Sequence, residues 1–162
     1  MAAKRGGQKK SARNPISGIT TSVRVQDRSK VFFERASTEI EKLIHKTAFR
    51  IQAHAAQSMT LDTRPPNPPS DPGDPPGVIT GNLRGGIGVE SFRDGSSTFV
   101  ARVGSNLEYA RALELGSPSR NLKARPYLRP AFHAEGLRLG GYDKGGPFGK
   151  RLAEILKKAM GG

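Results

Sequence analysis

The chain has 162 residues, with 27 Lys and Arg against 14 Asp and Glu, a formal charge of +13, and neither Cys nor Trp. That length suits one domain of roughly 100–200 residues. The absence of Cys excludes a disulfide scaffold, a thiolate zinc site, an iron–sulfur cluster and a cysteine nucleophile. No apolar run approaches the ~20 residues that span a bilayer, and the basic start MAAKRGGQKKSARNPISG has no apolar stretch behind it. A soluble protein of a reducing compartment is expected.

The charge is uneven. Residues 1–30 hold eight basic side chains and one acid, for +7, while residues 31–162 hold 19 and 13, for +6. Met1–Ser17 is rich in Gly, Ser, Lys and Arg and lacks an apolar period, so it cannot bury enough surface to offset its ordering entropy. Residues 1–18 are therefore expected to form a flexible basic arm. Lys4, Arg5, Lys9, Lys10 and Arg13 would there meet phosphates or an acidic protein surface, or simply keep the chain soluble.

From Ile19 to Gln26, apolar and polar residues alternate, which predicts a half-buried strand. Asp27 or Ser29 can cap the next element. Phe33, Ala36, Ile40, Ile44, Thr47/Ala48, Ile51 and Ala55 then recur at intervals of three and four, predicting one amphipathic helix from Lys30 to about Met59. Asp62–Gly77 holds seven of the 12 prolines and is expected to be an extended excursion, neither helix nor central strand.

Two alternating runs follow: Leu83, Gly85, Ile87 and Val89 on one face, then Phe99, Ala101 and Val103. With Asp94-Gly95 between them they predict a β-hairpin. Ser105-Asn106-Leu107-Glu108 fits a capping box opening a short helix with Tyr109, Ala110 and Leu113, ended by Gly116. Pro126 is expected to start another helix with face Leu128, Ala131/Phe132, Glu135 and Leu139. Glycines at 140–141 and 145–146 interrupt it, and a last helix would run from Phe148 to Met160 with Phe148, Leu152, Ile155 and Ala159 inward.

The fold class is α+β: a long N-terminal amphipathic helix packed on a small antiparallel sheet, with short C-terminal helices. Residues 19–139 would be the domain, and residues 140–162 a Gly-rich linker and C-terminal helix.

Signals for chemistry are sparse. His45 and His54 lie nine positions apart on the long helix, on opposite faces, and cannot share a metal. His45 follows Glu41 by one turn as a surface pair, and His133 has only Glu135 nearby. Asp62, Asp71 and Asp74 sit in the proline-rich segment, too loosely held for the ~0.5 Å tolerance of a metal-nuclease site. No nucleophile-elbow, P-loop or dinucleotide motif occurs, and Gly85-Gly86-Ile87-Gly88 opens no helix. No catalytic residue, metal or cofactor is expected, and no enzymatic activity. Arg111, Arg120, Lys123, Arg125 and Arg129, opposed only by Glu114, form a local excess of +4 suited to nonspecific phosphate contact. Aromatic platforms for single strands are nearly missing, so any nucleic acid would be duplex.

Several short motifs recur in a recognisable order. They are Thr80-Gly81-Asn82-Leu83-Arg84; Val103-Gly104-Ser105-Asn106 with Tyr109-Ala110; Leu113-Glu114-Leu115-Gly116-Ser117; and Ala124-Arg125-Pro126-Tyr127-Leu128-Arg129-Pro130-Ala131-Phe132. Over roughly residues 19–138 this string resembles the tail-completion, or head–tail joining, proteins of long-tailed bacteriophages. Ser117 stands where that family often has Thr, and Tyr127 where Phe is commoner. The interruption at Gly140–Gly149, where relatives continue a helix, suggests a C-terminal helix that swings away to another subunit.

The resemblance implies a structural virion protein, assembled in the host bacterial cytoplasm, forming a ring of six at the head–tail junction. Its partners would be copies of itself, a connector or head-closure protein, a tail-terminator or tail-tube protein, and duplex DNA in the channel, with no membrane. Thr80, Gly81, Leu83, Arg84, Tyr109, Glu114, Gly116, Arg125, Pro126, Tyr127, Leu128 and Pro130 would be the motif and interface residues. Arg120 and Lys123, with the arm, would contact DNA or an acidic partner. A free, nonspecific duplex-binding protein is the alternative.

Overall fold

The stripe of apolar residues after Lys30 becomes a single helix because its described positions, from Ala36 to Ala55, each have a surface to meet. The computed structural model describes residues 20–26, 30–95, 98–138 and 140–160, with backbone alone for 20–26 and 30–35. Strand β1 (Thr20–Gln26) leads to helix α1 (Lys30–Ser58). Ala36, Ile40, Ile44, Thr47, Ala48, Ile51 and Ala55 are all buried, and Leu43 and Met59 join them. The side chain of Phe33 and the capping candidates Asp27 and Ser29 lie outside the described residues.

The hairpin pairs β2 (Ile87–Arg93) with β3 (Thr98–Ser105), and β1 pairs along the other edge of β3. The sheet is antiparallel, in the order β1-β3-β2. Opposite Val103 stand Thr21 on β1 and Val89 on β2. Phe99, Ala101 and Val103 share the face that joins the core. On the other face the Arg102 guanidinium lies 4.7 Å from the centre of the Phe92 ring. The fold class is α+β, as the sequence implies.

Three elements after the hairpin complete the core: α3 (Glu108–Leu115), α4 (Leu128–Ala134) and α5 (Pro147–Met160). A two-stranded ribbon, β4 (Leu137–Arg138) with β5 (Gly141–Tyr142), fills the glycine-rich stretch between α4 and α5. Helix α1 packs against the sheet and against α4 and α5, and all of them meet around one core in which Ile44, Thr47, Ala48 and Ile51 stand beside Ala101, Val103, Phe132 and Phe148. Contact with so many elements explains why its apolar arc is wider than one stripe.

Several local expectations need correction. Leu83 and Gly85 are not strand residues, because Asn82–Gly85 forms a single helical turn, α2, and β2 begins at Ile87. Ser105 and Glu108 do not form a capping box. Ser105 is still in the β3 ladder opposite Ile87, so the helix starts later, with Leu107 as its N-cap and no side-chain cap. The Ser105 hydroxyl instead accepts from the Leu107 amide at 3.3 Å.

Helix α4 begins at Leu128, not Pro126, and ends before Glu135, where Gly136 at φ +76° turns the chain out. Leu139 lies outside the described residues, and Leu137 takes the buried place. Helix α5 does not swing away: Phe148 and Leu152 are buried in the common core with α1. The arm residues Lys4, Arg5, Lys9, Lys10 and Arg13 lie outside the described residues.

Candidate functional site

The proline-rich segment is pinned at its ends and middle. At its base the Thr63 amide donates to the Val78 carbonyl at 3.1 Å, and the Val78 amide to Leu61 at 2.7 Å. Gly77 is required there, since a Cβ would collide with the Thr63 side chain. In the middle the Arg125 Nε donates to the Ser70 carbonyl at 2.9 Å and to its hydroxyl at 3.1 Å, while the Gly73 amide donates to Ala124 at 2.9 Å. Proline cannot supply backbone donors of its own, so the loop is held by donors from Arg125 outside it and by the amide of its own Gly73.

Helical turn α2 leaves this loop through Gly81, whose φ of +80° places it in the left-handed region. Leu83 points into the core and Arg84 into solvent. Helix α3 packs alongside and ends at Gly116, φ +78°, where a Cβ would stand 3.0 Å from the Leu122 carbonyl oxygen. The chain doubles back there as Ser117 and Leu122 exchange backbone bonds of 2.7 and 3.0 Å around the 3-10 turn Pro118–Arg120.

Between these walls lies an open groove of about 780 Å³. Thr80, Arg84, Tyr109, Arg120 and Arg125 line it, over a floor that includes Val78, Leu113 and Leu122. Motifs up to 45 positions apart in the chain thus share one surface. No carboxylate is among the described residues lining it, and Tyr109 is its one aromatic side chain. Ile79 is 59% exposed and Tyr109 41% exposed at its edge. Lys123 is exposed outside the lining, and its carbonyl accepts from the Arg125 Nη1 at 3.4 Å.

The remaining motif residues serve the fold. Glu114 is 4% exposed and faces the start of α4. Its Oε2 accepts from the amides of Tyr127 and Leu128 at 2.7 and 2.9 Å, and its Oε1 from Arg129 at 2.9 Å. A carboxylate here satisfies donors that a helix leaves free, and its charge complements the positive end of the helix dipole. Pro126 has no N–H to offer it, so the bonds begin at Tyr127, the residue that precedes the helix. Tyr127 and Leu128 are buried beneath it, and Pro130 is exposed on α4. Burial, and then the nearby Glu114 and Tyr109, raise the Tyr127 phenol above its ordinary pKa.

Three of the titratable candidates, Asp62, His45 and His54, meet other side chains. Asp62 pairs with Arg64 through the Nε at 2.9 Å, and that guanidinium holds its carboxyl down at about 2. Among the described residues no group of three or more His, Cys, Asp and Glu side chains could hold a metal ion. Glu41 does not pair with His45: it meets Arg93 of β2 at 2.6 Å, and His45 faces the Ser91 hydroxyl at 3.1 Å. His54 lies 3.6 Å from Glu135. Glu135, only 3% exposed, is also 3.0 Å from Arg151 and 3.9 Å from Arg50, so it ties α1 to α5.

Residues 24–116 match the family described as "Bacteriophage HK97-gp10, putative tail-component". The match covers more than half of the chain. The chain belongs to this family of bacteriophage tail components. The family region runs from β1 to the Gly116 turn, so it contains α2, α3 and most of the groove. The Arg125–Phe132 string lies beyond it, although Arg125 completes the groove wall. No curated protein and no solved structure matches the chain. No helix among the described residues is long and apolar enough to cross a membrane.

Proposed function

We propose that this tail component is a structural subunit of the neck, forming a closed ring at the junction of head and tail. Six copies, as the family resemblance implies, would meet through heterologous contacts in which one patch fits a different patch next door. The ring would be gripped by a connector or head-closure protein on one side and a tail-terminator or tail-tube protein on the other. Its axis would pass duplex DNA, with basic side chains holding phosphates nonspecifically. The virion is its place of action, after assembly in the bacterial cytoplasm. The work is adhesion and passage, and needs no bond made or broken.

One observation carries this reading: Thr80, Arg84, Tyr109 and Arg125, from distant stretches of sequence, converge on one exposed face with apolar side chains left uncovered. A family of particle components has a use for such a face where it meets other proteins of the particle. Native mass spectrometry of the purified chain, with imaging of virion necks, tests it. A ring with density at the head–tail junction is expected; a solitary chain in the particle, or its absence from virions, refutes it. Free duplex binding, the competing reading, rests on the charge of +13. It requires strong binding by the unassembled chain, with a log–log salt slope that reports about six or more phosphate contacts.

A further inference from the structure

The groove has a chemistry that specifies its occupant. Its lining is mostly apolar, and Arg84, Arg120 and Arg125 are the charged residues in it, with no opposing carboxylate among the described residues that line it. Arg84 and Arg120 have no side-chain hydrogen bond or ion pair to any described residue, whereas Arg125 is anchored to Ser70 through its Nε. Guanidinium groups present fork-shaped donors that match carboxylates two bonds at a time. Ile79 and Tyr109 stand beside them, left 59% and 41% exposed by the described residues.

We infer that this groove docks an extended segment of a neighbouring virion protein, one that alternates acidic with apolar side chains. In an extended segment successive side chains point to opposite sides, so apolar groups reach the apolar lining while carboxylates reach the arginines. The volume of about 780 Å³ suits a short extended segment. Duplex DNA has no use for the apolar floor, and a single strand would need more stacking surface than Tyr109 provides. A second copy of this chain is a poorer match, because the groove asks for carboxylates and the chain carries 14 Asp and Glu against 27 Lys and Arg; contacts between copies in the ring would use other faces. The occupant is therefore another, acidic protein. The inference deepens the neck reading, but the test below does not depend on ring formation.

The test measures fluorescence anisotropy of a short labelled peptide that alternates Asp with Leu and Phe, titrated with the full chain while native mass spectrometry records its oligomeric state. Saturable binding is expected, weakened about tenfold or more in the double variant R84E/R120E. Replacing Asp by Asn, or Leu and Phe by Ser, in the peptide should cost a similar factor. Both substituted arginines are exposed, so an unchanged melting temperature is expected and separates lost docking from lost folding.

Absence of binding, equal binding of the Asn peptide, or indifference to the double variant overturns the inference. So does displacement of the peptide by duplex DNA whose own affinity falls in R84E/R120E, since that assigns the groove to phosphates. In virions, a photocrosslinker at Ile79 should capture an acidic segment of a different protein; capture of another copy of this chain overturns the assignment. Peptide binding by a chain that never forms a ring would leave the groove assignment standing and remove the neck reading alone.

Discussion

Replacing Glu114 by Ala should reveal how much of the fold depends on one carboxylate. The substitution strands three amide donors, of which those of Tyr127 and Leu128 belong to fully buried residues. A buried donor left unmade costs about 1–3 kcal/mol, so two cost about 2–6 kcal/mol; the amide of the exposed Arg129 can turn to water. Against a typical domain stability of about 5–15 kcal/mol, E114A should lower the urea midpoint sharply or leave the chain partly unfolded.

E114Q is the control. Its amide oxygen can keep the two bonds at the Oε2 position, while its NH2 meets the Arg129 amide donor to donor. Its loss should be about 1–3 kcal/mol. Amide exchange should accelerate first at residues 127–129 in both variants. A loss below about 1 kcal/mol in E114A, or equal losses in the two, would refute the account of this carboxylate as the cap that starts α4.

Other consequences follow from single side chains. The Thr47 hydroxyl is buried with no hydrogen-bond partner among the described residues and lies beside an apolar void, so T47V should raise stability by about 1 kcal/mol in denaturant melts. The Tyr127 hydroxyl is likewise buried without a partner among the described residues. Y127F should be neutral or stabilising, and ultraviolet titration should show Tyr127 ionising above the ordinary phenol range. Asp62 should titrate near 2 by carboxyl NMR, and R64A should return it toward the ordinary range of about 3.9. Because its pKa is depressed, the stabilisation it contributes is present above that ordinary value and disappears as pH falls toward 2. E135Q weakens the contacts to Arg151, Arg50 and His54 and should cost about 1–3 kcal/mol, read as a lower thermal midpoint.

Long periodic signals were legible in the residues. The three-and-four spacing of α1 needs no tertiary information to show its buried side, and the alternation at Phe99, Ala101 and Val103 announces its face of β3. Short elements were less legible. Residues 82–85 read as strand because Leu83 and Gly85 continue the alternation of Ile87 and Val89, yet Gly81 in the left-handed region starts a helical turn instead. The Ser105 capping pattern failed because sheet pairing with Ile87 claimed that residue first. Glu114 carried a visible hint, an acid just before a terminating glycine, but its three partners lie 13 to 15 positions away.

Composition and periodicity by themselves determined the α+β class, the central helix, the hairpin and the basic character, because these depend on neighbours along the chain. The tertiary structure alone decided that Arg84, Tyr109, Arg120 and Arg125 would meet, that the proline-rich segment would be laced to Arg125, and that α5 would return to the core. Such contacts join surfaces presented by separate elements, and their geometry follows from how layers pack around α1. No local spacing encodes that packing, since the cost of closing the intervening loops is met only when the whole core assembles.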